Sequence, residues 1–147
     1  MPSTHHNIKL HIVFGTKGRL PLIEPSWQNR LHEFLGGCLR DAGAHPIEVG
    51  GVADHVHLLV GLPTTISVAA LMANVKSVTS GWIHGEIGNR EFQWQEGYGV
   101  FSVSPADLDT VRRYVSSQAG HHLKKSFQEE YREMLARAGV AFDKRYI

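Results

Sequence analysis

The sequence predicts an α+β fold: an antiparallel sheet with helices on one face, followed by a C-terminal helical extension. Three observations predict it. Apolar residues alternate with period two in short stretches up to Val103, two long intervening stretches repeat them at helical spacing, and Ser104-Pro105 opens a last region of helical pattern.

From Ile8 to Phe14, Ile8, Leu10, Ile12 and Phe14 alternate with other residues, which predicts a strand with one face inward. Gly15, Gly18 and Pro21 end it. Trp27, Leu31, Phe34, Leu35, Cys38 and Leu39 then follow helical spacing behind Pro25-Ser26, so a helix is expected to about Asp41, closed by Gly43. Ile47 to Val49 reads as a short strand, Gly50-Gly51 as a bend or bulge, and His55 to Leu62 as the second arm of a hairpin stopped by Pro63. Val68, Leu71, Met72, Val75, Val78 and Trp82 mark a second long helix, interrupted at Gly85 and Gly88. The aromatic stretch Phe92 to Val103, with glycines at 97 and 99, reads as a fourth strand with a bulge.

Ser104 is placed as an N-cap with Pro105 at the first helical position, and Leu108, Val111 and Val115 supply the apolar stripe of the helix that follows. Gly120 is expected to end or bend it. Phe127, Tyr131, Met134, Leu135 and Ala138 define a last helix that stops at Gly139. The order β-α-β-β-α-β is the ferredoxin-like split βαβ pattern, with a core over residues 7–103 and C-terminal helices over 104–140 in one domain spanning 1–147.

Composition narrows the setting more than the function. The one cysteine, Cys38, sits in an apolar helical pattern and suits a buried thiol in a reducing compartment, so the cytoplasm is the expected location. No signal-peptide pattern or membrane-length apolar run is present. With 15 Lys+Arg against 14 Asp+Glu, net charge argues neither for nor against nucleic acid; local clusters at Lys17 and Arg19, and at Arg112, Arg113, Lys124 and Lys125, are candidate phosphate contacts.

Two pairs of residues carry the chemistry. His55 and His57 alternate along a strand, which puts both imidazoles on one face with Cα atoms about 6.7 Å apart, within reach of one ion. Val56, Leu58 and Val60 then point the opposite way, toward the helices. Tyr114 and Gln118 stand four positions apart on a helix and share a face. Gln118 could add a carbonyl oxygen to the two imidazoles, a neutral set that suits Mg²⁺ or Mn²⁺ polarising a phosphodiester. Tyr114 would be the nucleophile, an ordinary phenol of pKa about 10 that needs a metal or base to attack at neutral pH. His121 and His122 are candidate substitutes or supports for Gln118, and Asp54 reads as a turn residue that on a regular strand faces away from the histidines, with orienting an imidazole as its alternative role. Taken alone, each pair reads more readily as a tyrosine packed at a core edge or as two sheet-face histidines that bind nothing.

Together these residues resemble the single-tyrosine HUH transposases of the insertion-sequence-200-like type, in which HUH denotes histidine, hydrophobic residue, histidine. The resemblance spans nearly the whole chain. It rests on Gly50 to Val60 around His55-Val56-His57, His11-Ile12-Val13-Phe14 with Thr16-Lys17, Trp94 to Gly99, Phe101 to Ser104, Tyr114 to His122, and Ser126 to Tyr131. It implies a DNA-cleaving and strand-joining enzyme in which His55, His57 and Gln118 hold the metal, while Tyr114 takes the 5′ phosphate and releases a 3′ hydroxyl. It further implies single-stranded DNA with hairpins at element ends, and a homodimer whose tyrosine helix acts in trans. Ser117 stands where the family often has asparagine, which predicts altered local packing or DNA contact. A hairpin-binding protein without transposition is the competing reading, opposed by retention of all the catalytic residue types. A small metal-dependent hydrolase is a third, opposed by chain length and by the lack of a paired His-x-Ser/Thr motif.

Overall fold

Alternation in the first strand decides how the sheet is layered. In β1 (Lys9–Gly15), Leu10, Ile12 and Phe14 enter the main core, while His11 and Val13 are buried on the opposite face. The computed structural model describes residues 3–121 and 125–143, the side chains at 120 and 121 excepted. β2 (His45–Val52) pairs with β3 (His55–Gly61), β3 with β1, and β1 with β4 (Gly99–Ser102), all antiparallel, in the order β2-β3-β1-β4. This is the expected ferredoxin-like order. It makes β1 and β3 the two central strands, with His57 opposite Val13 and His55 opposite Gly15.

Two helices cover the first face, as the spacing predicts. α1 (Pro25–Asp41) starts with proline at its first position, and α2 (Val68–Trp82) is capped by Ser67, whose hydroxyl accepts the Ala70 N–H. Leu31, Leu35 and Leu39 of α1 and Leu71, Met72 and Val75 of α2 pack against Ile12, Phe14, Val56, Leu58 and Val60. Cys38 is buried there, and burial, then Asp41, pushes its thiol up. Gly85 does not interrupt the second helix: a π turn, Ile83–Ile87, carries the chain on to Gly88, whose φ of 89° ends it.

Two strands differ from expectation. β2 is longer than Ile47 to Val49, and its irregularity falls between Pro46 and Glu48 rather than at Gly50-Gly51, which pair in register with His57 and Val56. Proline has no N–H to give the ladder. The fourth strand is only Gly99–Ser102, preceded by a single bridge between Thr16 and Trp94. Phe92 and Trp94 are buried in the helix-side core, with Trp94 Nε1 donating to Thr79 Oγ1 at 2.9 Å. Their aromatic character therefore reflects core packing rather than a ladder, and Gly97, at φ 79°, turns the chain into β4.

The C-terminal helices roof the second face. They are α3 (Leu108–Ser116), α4 (Gln118–His121) and α5 (Phe127–Arg137). A 3₁₀ turn, Pro105–Asp107, precedes α3, and Ser104 donates to Asp107 Oδ2 at 3.0 Å instead of capping a backbone N–H. The break between α3 and α4 falls at Ser117, not Gly120. Two glycines let the roof close. A methyl group at Gly50 would overlap the Val115 carbonyl of α3, and one at Gly99 would lie 2.6 Å from the Tyr131 ring of α5. α5 opens with Ser126 accepting the Glu129 N–H and ends before Gly139, at φ 70°. Among the described residues, no helix is long and apolar enough to cross a membrane.

Candidate active site

The roof turns two sheet-face histidines into buried ones: His55 and His57 are both 0% exposed. A tight turn at Ala53-Asp54 begins β3, and it bends the Asp54 side chain back so that Oδ1 lies 2.7 Å from His55 Nδ1. This corrects the expectation that Asp54 faces away, which assumed a regular strand. A carboxylate accepting Nδ1–H leaves the Nε2 lone pair of His55 for the interior.

His57 is held in a matching way by a residue the sequence reading did not assign to the site. His57 Nδ1 lies 2.7 Å from His11 Nε2, and the rings stack at 5.0 Å. Burial, reinforced by the neighbouring His57, depresses the His11 pKa to about 3 against the opposing pull of Glu130. A neutral His11 can accept the Nδ1–H of His57, which again leaves Nε2 facing inward. Period-two alternation in β1 was the available signal, because it puts His11 on the face opposite Ile12 and Phe14.

Gln118 comes to the same place from α4. It is 1% exposed, and its Oε1 lies 3.1 Å from His55 Nε2 while its Nε2 donates to the Tyr114 carbonyl at 3.1 Å. That donor contact orients the amide with its oxygen toward the histidine. Ser117 helps set the turn, donating its hydroxyl to the Arg113 carbonyl at 2.8 Å. One turn earlier, Tyr114 sets its ring edge-on to His57 at 5.6 Å and to His11 at 6.0 Å. The four residues singled out by sequence thus converge within one chain.

Glu130 joins them, and it was not anticipated. Its Oε1 is 2.9 Å from His57 Nε2 and 3.8 Å from His55 Nε2, and the residue is 4% exposed. His55, His57 and Glu130 offer ligand atoms within 4.8 Å of one another. Two imidazole nitrogens, an amide oxygen and a carboxylate oxygen form a donor set that fits a divalent ion such as Mg²⁺, Mn²⁺ or Zn²⁺. The fit rests on both imidazoles being oriented from behind, by Asp54 and His11. The Tyr114 phenol is raised above its ordinary 10 by burial, then by the Glu130 carboxylate and its hydrogen bond, with Gln118 and Arg137 pulling the other way.

A cavity of about 720 Å³ opens onto this group, lined among others by His11, Tyr114, Ser117, Glu130, Lys125 and Arg137. The phenol and carboxylate therefore face an accessible space whose wall also carries Arg137 and Lys125, the latter paired with Glu133 at 2.6 Å. His122 and Lys124, and the side chain of His121, fall outside the described residues.

Comparison with known proteins identifies the family and the fold. Residues 4–118 match the family model described as "Transposase IS200 like". The transposases for insertion sequence element IS200 of Salmonella typhimurium (strain LT2) and of Salmonella typhi are each 30% identical over 122 residues, covering 78% of this chain and 79% of theirs. A candidate transposase of Deinococcus radiodurans R1 shares the fold, with TM-score 0.66 and 16% identity over 78% of this chain and 93% of its own. So does a REP-associated tyrosine transposase bound to a REP hairpin, with TM-score 0.56 and 12% identity over 78% of this chain and 70% of its own. The four-stranded antiparallel sheet, the matched length and the identity to the Salmonella proteins together establish that the chain belongs to the IS200-like transposase family.

Proposed function

We propose that this protein is a metal-dependent DNA transposase that cleaves and rejoins single-stranded DNA at insertion-sequence ends through a 5′-phosphotyrosine on Tyr114. The observation that carries the reading is the convergence of Tyr114, His55, His57 and Gln118 at one buried point beside an open cavity. His55, His57 and Gln118 would hold Mg²⁺ or Mn²⁺. Bound there, the ion would polarise a phosphodiester oxygen and offset negative charge on the attacking phenol.

The chain's own residues account for the rest. Tyr114 Oη forms a bond to phosphorus as the P–O3′ bond breaks; the phenol gives up its proton and the departing O3′ gains one. The phosphotyrosine keeps one ester bond for each one broken, so a second 3′ hydroxyl can reverse the step and join a new strand. Asp54 and His11 hold the imidazoles in orientation, and Lys125 and Arg137 on the cavity wall suit a phosphate backbone. The hairpin bound by the structurally similar REP-associated transposase favours hairpin-bearing single strands as the DNA partner. The cytoplasm, where such DNA lies, is the proposed location.

A homodimer with its tyrosine helix in trans is part of the proposal. Each chain brings Tyr114 against its own histidines, so an exchange of α3 and α4 between subunits would rebuild the same constellation across the dimer. The whole chain incubated with single-stranded element ends and Mn²⁺ should give a denaturation-resistant protein–DNA adduct, and Tyr114→Phe should abolish it. An adduct of undiminished yield in Tyr114→Phe overturns the assignment.

A further inference from the structure

Glu130 is the one carboxylate among the described residues that lies buried with the histidine pair. Among the described residues, Glu130 Oε1 lies beside the two ring nitrogens that Asp54 and His11 leave pointing inward, at 2.9 Å for His57 and 3.8 Å for His55. The residue comes from α5, beyond the segment that matches the family model, which ends at residue 118.

We propose that Glu130 is a further protein ligand of the ion, so that ion binding and docking of α5 on the sheet are a single event. The inference rests on the reading of His55, His57 and Gln118 as a metal centre. It goes further by giving the site an anionic ligand from a separate helix. One carboxylate beside neutral imidazoles and an amide lowers a divalent ion's net charge to one positive unit, and this makes the buried centre less costly. Two further contacts of α5 come from the same face of the helix as Glu130. Phe127 stacks on the His55 ring at 4.1 Å with 7° between planes, and Tyr131 lies over Gly99. Phe127 and Glu130 therefore grip the histidine pair from successive turns, one through a ring and one through the ion.

The experiment needs no DNA. Mn²⁺ is titrated into the full chain while the free-ion electron paramagnetic resonance signal is followed, and backbone hydrogen exchange in residues 127–137 is measured with and without the ion. The wild type should bind Mn²⁺ and slow exchange in α5. Glu130→Gln should weaken binding by about tenfold or more, at least what losing an outer-shell partner of a ligand costs, and should lose the ion-dependent protection. Glu130→Asp, which keeps a shorter carboxylate, should fall between. Equal Mn²⁺ affinity in Glu130→Gln and wild type, with loss in His57→Ala, overturns Glu130 as a ligand and leaves the histidine centre standing. No binding by the wild type overturns both. If Glu130→Gln fails to fold by circular dichroism, the wild-type exchange comparison decides alone: α5 protection that ignores Mn²⁺ overturns the proposal.

Discussion

Gln118 Oε1 stands 3.1 Å from His55 Nε2, a contact that ties the turn after the tyrosine helix to a central strand of the sheet. The same amide donates to the Tyr114 carbonyl, so one side chain sets both the oxygen that faces the histidine and the end of the helix that carries the phenol. Gln118→Ala removes both. Adduct formation is expected to fall by about tenfold or more, with a parallel loss of Mn²⁺ affinity; adduct yield on single-stranded ends and a Mn²⁺ titration measure the two.

Asp54 acts on His55 from behind, at 2.7 Å from Nδ1. Asp54→Ala is expected to weaken Mn²⁺ binding by about 10–100-fold, whereas Asp54→Asn should retain most of it because an amide oxygen still accepts Nδ1–H. Equal losses in the two variants would show that the charge, not the acceptor, is what matters. The chain's circular dichroism should stay unchanged in both.

Gly50 and Gly37 should respond to alanine with opposite signs. At Gly50 a methyl group meets the Val115 carbonyl, so α3 must shift, and a loss of about 1–3 kcal/mol is expected. Gly37 lies within α1 with nothing inside 4 Å of an added methyl, and the gain there should be about 0.5–1 kcal/mol. Urea denaturation of the two single variants tests the pair.

His32 links stability to pH. Burial lowers its pKa in the folded chain, and its Nε2 is enclosed without a hydrogen-bond partner among the described residues. The unfolded chain binds the proton more readily, so this contribution is fully present above the unfolded value of about 6.5 and is lost as pH falls through the lower folded value. His32→Leu should flatten the decline in stability below pH 6.5, with the slope difference bounded by about 1.4 kcal/mol per pH unit. Denaturation midpoints from pH 7 down to 5 measure it.

The legible parts of this protein are those in which one residue type has one physical meaning. Pro25 and Gly43 bracket α1 because proline suits a first helical turn and glycine takes positive φ, and the helix runs Pro25–Asp41 as the spacing predicts. His-Val-His on a strand with Val56, Leu58 and Val60 facing the helices follows from period two alone. Phe92 and Trp94 misled because an aromatic residue suits a strand and a helix-lined core equally well. Asp54 misled because a turn lets a residue next to His55 fold back beside it.

Glu130 was hidden by its neighbours. In Gln128-Glu129-Glu130 a carboxylate reads as solvated surface, and no local pattern tells Glu129 from Glu130. The signal lay in the stripe of α5: Phe127, Tyr131 and Met134 at helical spacing put position 130 on the apolar side, where a charge is out of place unless it has a task. Whether that stripe meets His57 is a long-range fact of packing, which spacing within one helix does not encode.

The segment matching the family model stops at Gln118, but part of the cover over the histidine-bearing face, the helix with Phe127 and Glu130, comes from beyond it. A remnant copy ending after Gln118 would still be recognised as a relative, with the tyrosine and both histidines intact. It would also present the face of His55, and the pocket side of His57, to solvent without the helix that brings Phe127 and Glu130 over them. Intact motif residues in a shortened gene copy are therefore insufficient grounds for counting that copy as a working mobile element.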